Sequence, residues 1–152
     1  MKKEEKKELR AMGNKGFSLV ELIIVIAIMA ILVGVLAPQL LRYVERSRQA
    51  ADTQLADTVR TAVVTALLDP TVTDAPTSGT YTNLTAVYNA APLFGAAVQT
   101  TLNGEAATAV EGRLGSRAYR TQTIQVEITT ASRVIVTIAA NAGSGATPIV
   151  IQ

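Results

Sequence analysis

A single carboxylate at the start of a long apolar segment is the first residue whose chemistry needs a partner. Glu21 closes the run Asn14-Lys15-Gly16-Phe17-Ser18-Leu19-Val20-Glu21, and the twenty residues from Leu22 to Leu41 carry no charge. A carboxylate is costly in hydrocarbon, about 2.5–3.5 kcal/mol for Asp at the centre of a membrane helix. Glu21 can accept hydrogen bonds or pair with a cation, and the sequence has to supply one of these partners.

One partner is local. Ser18 and Glu21 have the spacing of a capping box, in which each side chain accepts a hydrogen bond from a free amide at a helix start. The aligned backbone dipoles also favour a negative group there. In this interpretation Glu21 only starts a helix.

The chain lacks the side chains on which most catalytic and metal sites depend. It contains no Cys and no His, which removes the disulfide, the thiolate and the usual near-neutral base. We find no phosphate-binding loop, dinucleotide fingerprint or catalytic carboxylate pair. Asp69 and Asp74 flank a loop and could touch a cation, but a solvated loop explains them as well. We therefore expect no enzyme, no cofactor and no metal.

The basic charge belongs to a short N-terminal segment. The first sixteen residues hold six basic and three acidic side chains, and the whole chain holds fourteen and twelve, so the remainder is close to neutral. This distribution does not favour nucleic-acid binding. No lysine follows Lys15, which excludes a fibre joined by lysine isopeptide bonds beyond that residue.

The apolar segment is long enough to cross a membrane. Twenty residues at 1.5 Å each span about 30 Å, the thickness of a hydrocarbon core. The basic residues before it favour a cytoplasmic N-terminus. A cleaved secretory signal is the alternative, with Val35-Leu36-Ala37 as a loose cleavage site, but the segment is too long for it and Pro38 would follow the cut.

The helical pattern continues past the apolar segment. We predict one helix from about Phe17 to about Leu68, ended by Asp69-Pro70, because proline disfavours helix in the residue before it. Its second half is amphipathic. The predicted apolar face consists of Val44, Ala51, Leu55, Val59, Ala62 or Val63, and Ala66 or Leu67, and the charges, Asp52 among them, are expected largely on other faces.

Gly34 and Pro38 weaken the helix. Pro38 removes a backbone hydrogen bond at a cost of about 3 kcal/mol, and Gly34 costs about 1 kcal/mol relative to Ala. Two interpretations stay open. One is a simple kink, which membrane helices tolerate, and the other is a segment that unwinds when the helix is repacked.

The remaining residues predict a small head of class α+β. Thr71 to Thr82 and Gly112 to Ser116 are typical of loops, and Asn103-Gly104 of a turn. Short helices are predicted over Asn83 to Asn89 and Leu93 to Leu102, with Pro92 in a first turn. Strands are predicted at 123–128, 134–138 and 148–151, with a short connection at Ala131-Ser132, a central second strand and an edge position for the last. One face of this antiparallel sheet should pack on the amphipathic half of the helix.

The order Lys15-Gly16-Phe17-Ser18-Leu19-Val20-Glu21, followed by an uncharged run containing Pro38, resembles the class III signal of type IV prepilins, with a type IVa-like leader. The resemblance is strong over about Lys15 to Val44. It implies cleavage between Gly16 and Phe17, N-methylation of Phe17 and an assembly role for Glu21. The domains would be a leader at 1–16, a transmembrane and filament-core half-helix at 17–41 and a globular head at 42–152.

Two departures from the family pattern concern the head. Many members close a C-terminal loop with a disulfide, which a chain without cysteine must replace by turns and packing. Some type II secretion pseudopilins bind calcium near the C-terminus, but no acid follows Glu127 here. A calcium-binding pseudopilin is therefore disfavoured.

Cleavage would give Glu21 a second partner. The Phe17 amine that it creates has a reference pKa of about 7.7–8.0 and is largely protonated at neutral pH. In a filament, Glu21 could face its own or a neighbour's Phe17 amine. A buried pair of this kind would fix the register between apolar helices that could otherwise slide. We hypothesise that Glu21 both caps its helix and pairs with Phe17.

The function that the resemblance implies is structural. A membrane-anchored precursor would become a major pilin of a cell-surface type IV filament, used in adhesion, twitching motility, DNA uptake or secretion. Its partners would be copies of itself, the prepilin peptidase and N-methyltransferase, the inner-membrane assembly platform with its ATPase, and the membrane before assembly. The alternatives are a minor pilin or a type II secretion-like pseudopilin acting as a tip initiator or binding module.

Overall fold

The computed structural model describes residues 17–129 and 133–152. The predicted leader 1–16 with Gly16, and the predicted connection Ala131-Ser132, lie outside the described residues. The chain divides into two compact units, one that ends at Arg42 and one from Tyr43 to Gln152. Each unit is described by itself.

The long helix is present. Helix α1 (Leu19–Leu68) contains Pro38 and ends one residue before Asp69-Pro70, as predicted. Asp69 then accepts the amide and hydroxyl of Thr71 at 2.8 and 2.7 Å, which holds the chain in a turn after the helix. Continuous α-helix through Pro38 agrees with the tolerance of membrane helices for proline.

The buried face of α1 within the second unit largely matches the predicted face, but the two differ near the start of that face. Leu55, Val59, Ala62, Val63 and Ala66 are buried as predicted. Ala51, however, is exposed, and Asp52 is buried in its place. The prediction that Asp52 lies on another face is therefore wrong. The prediction used polarity alone, but a carboxylate can be buried when hydrogen bonds compensate the cost of removing it from water.

Three short helices follow α1 in the chain and precede the last three strands of the sheet. Helices α2 (Leu84–Tyr88) and α3 (Pro92–Thr101) confirm the two predicted helices, with Pro92 in the first turn of α3. The Asn83 side chain caps α2, because its Oδ1 accepts the Ala86 amide at 2.8 Å. Helix α4 (Ala107–Glu111) was not predicted. Its sequence, Ala-Thr-Ala-Val-Glu, shows no clear apolar period by which a helix could be recognised.

The sheet is antiparallel and has the strand order β1-β2-β3-β4 among the described residues. Strands β2 (Ile124–Ile128), β3 (Val134–Ile138) and β4 (Ile149–Ile151) confirm the predicted strands, with β3 internal and β4 at an edge. Strand β1 (Gly79–Tyr81) lies in the segment predicted as loop, and it pairs Thr80 with Glu127. Three residues among Thr, Pro, Ser and Gly do not show a strand period, so pairing with β2 decides their conformation.

One hydrophobic core joins these elements in the second unit. It contains the buried face of α1 from Leu55 to Ala66, Phe94 and Val98 of α3, and the inward side chains of the sheet. Along β2, burial alternates strictly, with Ile124, Val126 and Ile128 inside. The predicted packing of one sheet face with the amphipathic half of the helix is confirmed.

Candidate functional site

The start of α1 has the geometry of a capping box. The Leu22 amide donates to the Ser18 carbonyl at 3.2 Å and forms the first helical bond. The Ser18 amide donates to Glu21 Oε2 at 2.8 Å, while Ser18 Oγ accepts the Val20 amide at 3.4 Å. Both side chains therefore satisfy amides that the helix leaves free. The local partner proposed for Glu21 is present.

Phe17 and Glu21 lie side by side at this helix start. They line one open depression together with Leu22, Ile24 and Val25. The Phe17 side chain is 92% exposed. Among the hydrogen bonds of the described residues, Glu21 accepts through Oε2 alone, so its other oxygen is available to a further donor. Glu21 already accepts the amide of Ser18, and Phe17 directly precedes Ser18 in the chain.

The apolar part of α1 exposes its side chains on every face. Each large apolar residue from Leu19 to Leu41 is more than half exposed. Within the described residues, α1 is long and apolar enough to cross a membrane. Because exposed apolar surface of this extent marks contact with lipid or protein, this segment requires a partner that the single chain does not provide.

Gly34 and Pro38 lie inside this exposed segment. Pro38 stands within the continuous helix, and a Cβ added at Gly34 would meet no atom within 4 Å. Packing inside the single chain therefore does not require glycine at position 34. Whether these residues allow the helix to unwind stays a prediction, as do the roles of Gly16, Phe17 and Glu21.

Comparison with known proteins finds sequences similar to the segment that contains this helix start. The family description "Prokaryotic N-terminal methylation motif" matches residues 11–37. Two proteins of Dichelobacter nodosus, each named "Type IV major fimbrial protein FimA", are 43% identical to the chain over 56 residues. Over this N-terminal segment, the motif and the fimbrial relatives support the type IV pilin family.

The similarity covers only part of the chain. The 56 aligned residues are 37% of the chain and 36% or 35% of the two relatives. The chain thus spans little more than a third of the length of these curated relatives. No solved structure matches it.

A second set of carboxylates holds a loop of the second unit on α1. Asp52 Oδ1 and Oδ2 accept the amides of Gly115 and Ser116 at 2.8 and 3.1 Å. Glu45, two turns earlier, accepts the Arg117 amide at 2.7 Å. Three consecutive amides therefore donate to two side chains of one helix. This site was not predicted from the sequence, although the seven-residue spacing of Glu45 and Asp52 places both on one face of the helix.

Asp52 should matter more for stability than its exposed neighbour Asp57. Asp52 is 1% exposed, and its replacement by alanine would leave two amides without their acceptor. We expect Asp52→Ala to lower the free energy of unfolding by about 3 kcal/mol. Asp57→Ala, the control, should change it by less than about 0.5 kcal/mol. Urea unfolding of the full chain in non-ionic detergent, followed by tyrosine fluorescence, measures both, and equal effects would contradict this assignment.

Hydrogen bonds hold the C-terminal loop between β3 and β4. The Tyr119 hydroxyl donates to the Thr147 carbonyl at 2.6 Å, and the Asn141 side-chain amide donates to the Arg117 carbonyl at 3.0 Å. Burial first, and then the nearby charge of Asp52, raise the pKa of Tyr119 above its ordinary value of 10.0. The phenol therefore keeps the proton that it donates to Thr147.

The two loop acids considered as cation ligands have other roles. Asp74 accepts the amides of Leu93 and Phe94 at 2.8 and 2.9 Å and so caps α3. Hydrogen bonds from the Thr71 hydroxyl and amide lower the pKa of Asp69 below its ordinary value of 3.8. Over the described parts of the chain, no three acidic side chains come together as a possible metal site.

Proposed function

We propose that this protein is a pilin, the structural subunit of a type IV pilus. It is made as a membrane-anchored precursor, cleaved after Gly16, N-methylated at Phe17 and polymerised non-covalently through its N-terminal helix. The observation that carries the proposal is the methylation motif at residues 11–37, which overlaps the part of α1 whose large apolar residues, from Leu19 to Leu41, are all more than half exposed. In the membrane, lipid covers these side chains, and in the filament neighbouring helices cover them.

Processing gives Glu21 its second role. Before cleavage the nitrogen of Phe17 is an uncharged amide, and afterwards it is an amine that is largely protonated at neutral pH. The free oxygen of Glu21 then accepts from the Phe17 amine of its own or a neighbouring subunit. Because a lone buried charge is strongly unfavourable, neighbouring helices pack only in registers in which each Glu21 carboxylate meets a Phe17 amine.

The names of the relatives support a major rather than a minor subunit, since both are called major fimbrial proteins. The mature subunit then forms a filament on the cell surface. Its partners are its own copies, the prepilin peptidase that also methylates it, and the membrane platform and ATPase that assemble the filament. Adhesion, twitching motility, DNA uptake and secretion are the uses that such a filament serves.

Cleavage after Gly16 is tested by enlarging that residue. We expect Gly16→Val to abolish processing, because a branched side chain at the cleaved bond hinders the peptidase. The precursor should then accumulate in the membrane with its sixteen-residue leader. Intact mass of the chain extracted from membranes of the producing cells measures the outcome.

The matched control is Gly13→Val, the same substitution three residues earlier. It should leave processing unchanged. Equal processing of both variants, with a new N-terminus at Phe17, would show that the peptidase does not select Gly16 by size.

A further inference from the structure

A polar cleft in the second unit lies beside the loop that Glu45 holds. It has a volume of about 460 Å³, within the range of about 300–1,000 Å³ of small-molecule sites. Its wall is formed by α1, by the turn after Ser116 and by the loop after β3. The polar and charged side chains that line the cleft include Glu45, Gln49, Arg117, Arg120, Thr121 and Ser144.

The turn that carries the two arginines is fixed on both sides. The Arg117 amide donates to Glu45, and its carbonyl accepts from Asn141. The backbone amide of Asn141 donates to the Ala118 carbonyl at 2.7 Å. Ala118 and Tyr119, between the arginines, are 2% and 5% exposed. The arginines therefore leave a backbone that is already ordered, which lowers the cost of arranging them around a ligand.

Among the described residues, neither arginine forms an ion pair with an acid. The ion pair among the described residues joins Arg113 and Glu105, at 3.6 Å. Arg117 and Arg120 are exposed and lie outside it. Two guanidinium groups at one cleft favour a ligand that carries a carboxylate or a similar oxyanion, which guanidinium binds through two parallel hydrogen bonds.

The rest of the lining selects a ligand with hydroxyl groups. Gln49, Thr121 and Ser144 are neutral hydrogen-bonding residues, and the carboxylate of Glu45 accepts hydroxyl protons while it repels a bare anion. No aromatic residue is among those lining the cleft. Residues 43–152 contain seven arginines, no lysine and eight acids. The broad positive field that nucleic acid requires is therefore missing.

We propose that this cleft binds an acidic sugar, with the sugar carboxylate at Arg117 and Arg120 and the hydroxyl groups at Glu45 and the neutral side chains. The proposal concerns the head of the single chain. It does not depend on processing or on filament assembly.

The test is titration of the full chain, in non-ionic detergent, with three probes followed by calorimetry. The probes are glucuronate, glucose and inorganic sulfate. The variants are Arg117→Gln and Arg120→Gln, and Arg113→Gln serves as a control that removes the same charge away from the cleft. Thermal unfolding of each variant checks that the head remains folded.

We expect saturable binding of glucuronate, and weaker binding of both glucose and sulfate. Arg117→Gln and Arg120→Gln should each weaken glucuronate binding by about tenfold, and Arg113→Gln should leave it unchanged. The proposal is overturned if glucuronate does not bind or if glucose binds equally. It is also overturned if sulfate binds as tightly, which would show a general anion site, or if Arg113→Gln weakens binding as much as the other variants.

Discussion

Glu21→Gln is expected to reduce surface filaments by about a hundredfold or more while leaving the precursor cleaved at Phe17. Glutamine still offers an oxygen to the Ser18 amide, which Glu21 accepts at 2.8 Å, so the helix start is preserved. It cannot carry the charge that, in the proposed pair, faces the Phe17 amine. Breaking a buried pair costs about 3–5 kcal/mol, which corresponds to more than a hundredfold in an equilibrium. Immunoblots of sheared filaments and of the processed membrane pool measure the two quantities.

Ser18→Ala is the matched control for the capping role of Glu21. It removes the hydroxyl that accepts the Val20 amide but keeps the charge of Glu21. If pairing governs assembly, Ser18→Ala should form filaments close to the wild-type amount. Normal filaments with Glu21→Gln and few filaments with Ser18→Ala would instead mean that Glu21 acts only as a cap.

Gly95→Ala is expected to destabilise the head by about 3 kcal/mol or more. A Cβ at Gly95 would lie 1.9 Å from the Tyr88 carbonyl oxygen and 2.7 Å from its carbon. Both are backbone atoms, so α2 and α3 would have to separate, which would disturb the packing of the buried Phe94. This cost is a large part of a typical stability of about 5–15 kcal/mol. Urea unfolding of the full chain in detergent, followed by tyrosine fluorescence, measures it.

Gly115→Ala is the control for this steric effect. A Cβ there would meet only the Arg113 carbonyl oxygen, at 3.7 Å, which is an ordinary contact. We expect its free energy of unfolding to stay within about 0.5 kcal/mol of the wild type. If the two alanine variants proved equally stable, the close approach of α3 to Tyr88 would not be a constraint on the fold.

The long periodic elements could be predicted from the sequence, and two of the short ones could not. Helix α1 shows its apolar period over many turns, and β2 alternates strictly, so both were predicted almost to the residue. Strand β1 and helix α4 have three and five residues. Their conformation depends on partners distant in the chain, such as β2 for β1, and a local pattern cannot show that.

The buried carboxylate of Asp52 illustrates a second limit. Sequence places charges outside because an uncompensated buried charge is costly. Its compensation comes from Gly115 and Ser116, more than sixty positions away in the chain. The helix start at Ser18 and Glu21 was predictable for the opposite reason, since donor and acceptor lie three positions apart. Local chemistry was visible in the sequence, and chemistry between distant segments was not.

The N-terminus of the protein in its assembled state tests the central claim most directly. Filaments sheared from the surface of the producing cells would be analysed by intact-mass and fragment mass spectrometry. If the chain is a type IV pilus subunit, it should be abundant there and begin at Phe17 with one added methyl group. Its absence from the filaments, or a chain that retains Gly16 or lacks the methyl group, would contradict the proposed function.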